Sequence, residues 1–158
     1  MSGGLSTWDG GDAPATPGEA LVVCAGGANY CLPFASIGSV ERFRGAARVP
    51  GQPPWVLGLA QNRGSPIVLL DLALRLGGAG ARPAAATHVV ILRAGERIVG
   101  LVVEGLGEVV ALHPDDQMPR GAHADPARAA LTHAWFQGAA GFLEVLDPRA
   151  LCEIGTPP

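Results

Sequence analysis

Two of the seven aspartates, together with the four histidines and three cysteines, are the residues whose type and placement could support chemistry in this 158-residue chain. Asp71 and Asp147 each close an apolar run, a placement that general acid–base catalysis could use. Their surroundings point elsewhere. Asp147 precedes Pro148 and RALCEI, the pattern of an N-cap followed by proline at the first helical position. Asp71 precedes LALRL and Gly77, a cap and a stop around one or two helical turns. Both are read as structural caps. His88, His113, His123 and His133 have no i, i+4 spacing and no HExxH or CxxC context, and HPDDQ with HAD has the composition of a solvated loop, so no metal is expected. Cys24, Cys31 and Cys152 are an odd number, too sparse for a disulfide framework, and are read as reduced thiols of a cytoplasmic protein. The chain lacks a GxSxG elbow, a GxxxxGK[ST] loop and a strand–GxGxxG–helix unit, so neither an enzyme nor a cofactor is indicated.

One charged residue stands out by position. VLGLAQNRGSPIVLLDL, Val56 to Leu72, sets Arg63 between two apolar runs. All 11 basic residues are arginine, so an arginine is informative here only by where it sits. The 14 acidic residues give a net charge of −3, which offers no positive field to a phosphate backbone, and nucleic acid is not an expected partner. No basic n-region precedes an apolar core, and VVILRAGERIVGLVV is broken by Arg93, Glu96 and Arg97, so no export or membrane insertion is expected. Trp55, in PGQPPWVLG, follows prolines that hold the chain extended, where an indole packs or anchors a partner.

The elements that must position these residues are strands. Residues 1–18 are rich in Gly, Pro, Ser and Asp and are expected to form a disordered tail, with 155–158 a second one. From Ala20 onward, short apolar runs alternate with glycine-containing turns; LVVCA-GGAN-YCLPF and HVVIL-RAGER-IVGLVV read as hairpins. A shift of 69 residues lays Gly26 on Gly95, Leu32 on Leu101, Ile37 on Leu106 and Val40 on Val109, and a shift of 76 lays Gln61 on Gln137, Ile67 on Leu143 and Asp71 on Asp147. The additional residues fall in HPDDQMPRGAHADP. Two copies of roughly five strands imply an all-β fold of two small SH3-like barrels, with short helical turns after strands. Runs such as PIVLL and IVGLVV are apolar at successive positions, so one strand face fills a barrel and the other meets the second barrel in a shared hydrophobic core. The expected domain spans 19–154, with lobe one over about 30–77, lobe two over about 86–147, and the first strand and the C-terminal helix crossing between them.

Three segments, YCLPFASIGSV, PWVLGLAQNRGSPIVLLDL and RIVGLVVEGLGEVVAL, together resemble the CheW family of bacterial chemosensory coupling proteins, over about residues 20–153. The family motif GxxNLRGxxxPxxDL is met by Gly58, Arg63, Gly64, Asp71 and Leu72. Gln61 stands for its Asn, Asn62 for its Leu and Val68 for its Pro, Ser39 occupies a position that is usually acidic, and Glu104 replaces an Asp. The resemblance implies an adaptor without turnover that binds the cytoplasmic tip of a chemoreceptor and the regulatory domain of a CheA-type histidine kinase. It implies partner-binding roles for Arg63, Asn62, Gln61, Ile37, Ser39, Gly100, Leu106 and Val109, with Trp55 beside them. Two further readings stay open: a coupler of a pilus-motility or surface-sensing pathway, and a small β-barrel ligand binder or enzyme.

Overall fold

The structure is a computed structural model that describes residues 18–78, 88–119, 126–139 and 141–153. Of the tails expected at 1–18 and 155–158, residues 1–17 and 155–158 lie outside the described residues, as does His123. Gly18 does not belong to a tail: its carbonyl accepts the Leu112 amide at 3.0 Å. Ten strands carry the fold: β1 (Glu19–Ala25), β2 (Ala28–Pro33), β3 (Ile37–Arg42), β4 (Val56–Asn62), β5 (Ser65–Asp71), β6 (His88–Ala94), β7 (Arg97–Val103), β8 (Gly105–Ala111), β9 (Thr132–Gly138) and β10 (Gly141–Leu146). Three single helical turns follow strands or loops: α1 (Leu72–Arg75), α2 (Pro126–Ala129) and α3 (Pro148–Cys152).

The internal repeat maps strand onto strand. A shift of 69 carries β1, β2 and β3 onto β6, β7 and β8, and a shift of 76 carries β4, β5 and α1 onto β9, β10 and α3. The lobe bounds expected from that repeat need correction. The two five-stranded sheets run β8-β1-β2-β10-β9 and β3-β6-β7-β5-β4. Each therefore combines the first two strands of one repeat with the last three of the other, and neither lobe is a continuous half of the chain. Much more than the first strand and the last helix crosses. The crossing occurs at Phe34–Ser36, a 3₁₀ turn that takes the chain from β2 in one sheet to β3 in the other. It is sealed by two parallel pairings between the repeats, β2 with β10 and β5 with β7.

Each sheet curls into a barrel. The Ala47 amide donates to the Leu59 carbonyl and the Leu59 amide to the Ala47 carbonyl, both at 2.8 Å, so the chain beyond β3 closes onto β4. Gln117 bridges to Phe136 in the repeat-related place. The apolar side chains then divide into three clusters, as two-faced strands require. Ala20, Cys31, Ala134, Phe136 and Val145 fill the first barrel, and Ile67, Leu69, Val89, Ile91 and Val102 fill the second. Between the barrels lies the largest cluster, to which β1, β2, β5, β6, β7, β10, α1 and α3 contribute, with Leu32, Leu70, Leu72, Leu92, Leu101, Leu146 and Leu151 wholly buried. With strands exchanged and the seam dry, separating the barrels would expose both, so they form one cooperative unit.

The caps are geometric facts. The Asp71 carboxylate accepts the Leu74 amide at 3.1 Å, and the Asp147 carboxylate accepts the Arg149 amide at 3.0 Å. No helix of the described residues is long and apolar enough to cross a membrane, and no group of three or more His, Cys, Asp or Glu among them could hold a metal ion.

Candidate functional site

The β4–β5 hairpin is closed by two residues, Arg63 and Gly64, between the paired Asn62 and Ser65. Their φ values are +54° and +84°, the left-handed pair of a type I′ turn, whose twist matches that of the flanking strands. The β1–β2 turn has nearly the same geometry, +62° and +80°, and uses glycine at both positions. Arg63 is the one non-glycine residue at positive φ among the described residues. An L-residue with a bulky side chain is penalised there by about 1–2 kcal/mol relative to glycine. Arg63 is exposed, and no ion pair or side-chain hydrogen bond with a described residue offsets that cost. Local strain of this kind collects at sites of function.

Behind the tip the hairpin borders a groove of about 390 Å³. Its floor is Ile67, Leu69, Val89 and Ile91 of the second barrel; its walls are Ala60, Gln61 and Asn62 on one side and Glu41, Arg42, Arg44 and Gly45 on the other. Barrel closure thus brings the end of β3 up to the tip of β4. Gln61 is exposed, whereas the Oδ1 of half-buried Asn62 is shut off from solvent with no hydrogen-bond donor. Ser39, on β3, donates its hydroxyl to a carboxylate oxygen of Glu41 at 3.4 Å. Glu41 lies two residues along, on the same face of the strand. An acidic side chain thus stands on that face one strand period beyond Ser39. That residue was missed by sequence reading, although the period of two was the signal available.

The remaining residues separate. Ile37 is half-buried and packs on the inter-barrel core; its repeat mate Leu106 and the repeat mates Val40 and Val109 are more than a third exposed, all on the edge strands β3 and β8. Gly100 is not on this surface. It is buried, and a Cβ there would come within 2.5 Å of Leu69 Cδ2 and 2.7 Å of Val89 Cγ1, so its part is to let β7 pass close under the second barrel's core. Trp55 is held by packing: half-buried against the inter-barrel core, it carries the Arg75 guanidinium 4.5 Å above its ring, and its carbonyl accepts the Asp71 amide at 2.8 Å. Burial lowers the Arg75 pKa, an effect the Glu153 carboxylate opposes.

A second charged group lies on the opposite sheet. Glu144, 4% exposed, accepts Arg128 Nη2 at 2.8 Å and the Thr132 hydroxyl at 2.6 Å, while the Arg128 guanidinium also stands 5.1 Å from the centre of the Tyr30 ring. These contacts fasten α2 to β9 and β10. Cys31 lies close by, its thiol pKa pushed up to about 11 by burial and, less, by the Glu144 carboxylate. The Cys31 thiol and the Glu144 carboxylate thus lie on the first barrel, apart from the groove and the hairpin tip of the second.

A family model described as the CheW-like domain matches residues 19–154. Among curated proteins, the probable chemotaxis protein CheW of Rhizobium etli is 26% identical over 94 residues, which is 60% of this chain and 61% of that protein. Chemotaxis protein CheW of Rhizobium meliloti is 24% identical over 101 residues, 64% of this chain and 65% of that protein. Chemotaxis protein CheW of Bacillus subtilis is 26% identical over 111 residues, 68% and 71% of the two chains. The chain thus spans less than two thirds of the length of the two Rhizobium relatives. In fold it is similar to the scaffolding protein TtCheW from Thermoanaerobacter tengcongensis, with a TM-score of 0.74 at 18% identity over 83% of this chain and 89% of that one.

Proposed function

The chain belongs to the CheW-like domain family, and from that membership we propose that it is a non-catalytic adaptor joining a chemoreceptor's cytoplasmic tip to the regulatory domain of a CheA-type histidine kinase. The observation that carries this reading is Arg63: a guanidinium displayed at the tip of a two-residue hairpin turn, in a backbone conformation that costs stability, with no partner for its donors among the described residues. Five N–H groups in a fixed fork suit a carboxylate or the carbonyls at a helix end of another protein. The apolar side chains on the edge strands, Leu106, Val109 and Val40, supply area that the fork orients.

Mechanically, one body that binds receptor and kinase together raises their effective concentration and fixes their relative pose, so a conformational bias in the receptor reaches the kinase without a covalent step. The exchanged strands suit that role, because a force on one barrel cannot be absorbed by a hinge between two independent lobes. Titration of the purified protein against a kinase regulatory domain and against a receptor-tip fragment tests the reading; saturable binding to each is expected, and no binding to either overturns it.

A further inference from the structure

Where the internal repeat sets like places of the two barrels against each other, their charges are opposite. On the second barrel, residues 42–70 hold Arg42, Arg44, Arg48 and Arg63 and no carboxylate. Arg42 and Arg44 stand on the wall of the groove floored by Ile67, Leu69, Val89 and Ile91, and Glu41 is the one acidic residue among the described residues that line it. Arg48 follows Ala47, which closes the barrel against Leu59. On the first barrel, residues 98–119 hold Glu104, Glu108, Asp115 and Asp116 and no arginine. Glu104 is set apart before β8, where its carboxylate accepts the Gly27 amide at 3.4 Å. Glu108 lies on β8, Asp115 and Asp116 on the 3₁₀ turn Pro114–Asp116 that follows it, and Glu19 stands across from Ala111 on β1. A shift of 69 carries Glu19 onto His88, Ser39 onto Glu108, and Ala46 and Ala47 onto Asp115 and Asp116. The fold is the same at both places, so it does not require this polarity. Nor does the molecule use it within itself: Arg42, Arg44 and Arg48, like the carboxylates of Glu19, Glu108, Asp115 and Asp116, are exposed and have no ion pair with a described residue.

A surface of each sign on a chain of net charge −3 selects among partners. A polyanion drawn to the arginines would meet the carboxylates of the same molecule, and a polycation the reverse; a second copy offers each surface its complement. We propose that copies of this chain join through these unlike faces, the 3₁₀ turn Pro114–Asp116 on the first barrel of one copy lying in the arginine-walled groove on the second barrel of the next. Asp115 and Asp116 then face Arg42 and Arg44 as carboxylate–guanidinium pairs, and Pro114, exposed at the start of the turn, supplies the apolar contact for the groove floor. The contact involves neither receptor nor kinase, so its failure and the failure of the adaptor reading are separate results.

Sedimentation velocity of the full chain tests it. Exposed charges act over a screening length of about 10 Å at 0.1 M ionic strength and about 3 Å at 1 M. The weight-average mass should therefore rise with protein concentration at low salt and return to that of the monomer at 1 M. Reversing either face, with Arg42→Glu/Arg44→Glu or with Asp115→Arg/Asp116→Arg, should weaken association by at least about tenfold, and an equal mixture of the two variants should associate again, because each presents what the other lacks. That recovery also shows both variants to be folded. Arg93→Glu/Arg97→Glu, at exposed positions beside the β6–β7 turn, changes the net charge as much as the first variant while touching neither face, and should leave association as it was. A chain that stays monomeric at every concentration in low salt overturns the proposal. So do association that survives 1 M salt or either reversal, a mixture that stays monomeric, and loss of association in Arg93→Glu/Arg97→Glu.

Discussion

Replacing Arg63 by glycine should raise stability and lower binding together. In the folded chain Arg63 has φ +54°, where an L-side chain costs about 1–2 kcal/mol and glycine costs nothing. Glycine also frees the unfolded chain, which returns about 0.5–1 kcal/mol of that gain. The net stabilisation is on the order of 0.5–1 kcal/mol, and for a domain of this size 1 kcal/mol moves Tm by roughly 3–4 °C. Arg63→Gly should therefore melt about 2–4 °C above the unaltered protein, whereas Arg63→Ala, which keeps the positive φ and loses only an exposed guanidinium, should melt within about 1 °C of it. If the guanidinium makes a charge-assisted contact worth about 1.5–3 kcal/mol, both variants should lose on the order of 10–150-fold in affinity for the partner that the tip touches. Differential scanning calorimetry and isothermal titration with the receptor-tip and kinase fragments read the two quantities separately. The reasoning fails if Arg63→Gly melts below the unaltered chain, because the tip would then depend on internal contacts of Arg63. It also fails if both variants bind every partner at full strength, since the strained arginine would then have no use.

Other perturbations test the frame that holds the tip. Gly58→Ala would place a Cβ 2.1 Å from the Ala47 carbonyl oxygen at φ +144°; backbone cannot yield as a side chain can, so the Ala47–Leu59 bridge should open and stability fall by more than about 4 kcal/mol in chemical denaturation. Gly100→Ala meets only the ends of Leu69 and Val89, and should cost the milder ~1–3 kcal/mol of an overpacked core in the same measurement. Glu144→Ala leaves the part-buried Arg128 guanidinium without its carboxylate and should cost about 1–3 kcal/mol, with a Glu144→Leu/Arg128→Met pair recovering most of it by the same denaturant titration. The thiols of Cys31 and Cys152 are both raised from 9.0 to about 11, chiefly by burial. The folded state therefore keeps protons that the unfolded state releases, and stability should fall as pH rises from 9 toward 11, with a slope of up to about 1.4 kcal/mol per pH unit for each thiol. Replacing both by alanine should flatten that part of the stability–pH curve.

The repeat, the strand pattern and the two caps were legible because each rests on local spacing: period-two burial, glycine at left-handed turns, an aspartate two or three residues before the amide it receives. The exchange of strands between barrels was not. β2 has the same apolar face whether it packs with its own repeat or the other, and the parallel partners β2–β10 and β5–β7 are too far apart in the chain to leave a hairpin signature. What carries the chain across is the 3₁₀ turn at Phe34–Ser36, which follows Pro33 and leads β3 into the other sheet in place of a hairpin. Gly100 was misplaced on the binding surface for a related reason: a glycine in an apolar strand marks close approach, and the sequence does not say whether the visitor is a partner or Leu69 of the same molecule.

Where the two repeats agree they build the barrels, so the places where they disagree carry the information about function. Position for position, the second hairpin tip has Ala139 where the first has Arg63, Phe136 where the first has Ala60, and Gly138 where the first has Asn62. One barrel has a small side chain at its tip; the other has an arginine there and a groove beside it. A fold that needed only symmetry would have no reason to keep a strained arginine and an unfilled groove on the same hairpin. Exchanging these residues between the repeats, Arg63→Ala with Ala60→Phe on one hairpin and Ala139→Arg with Phe136→Ala on the other, separates the two origins of binding. If recognition belongs to the hairpin's residues, affinity should follow them to the other barrel, at least in part. If it belongs to the barrel's remaining surface, the edge strands β3 and β8 above all, affinity measured by titration should stay with the unaltered strands and fall only by what Arg63 contributes.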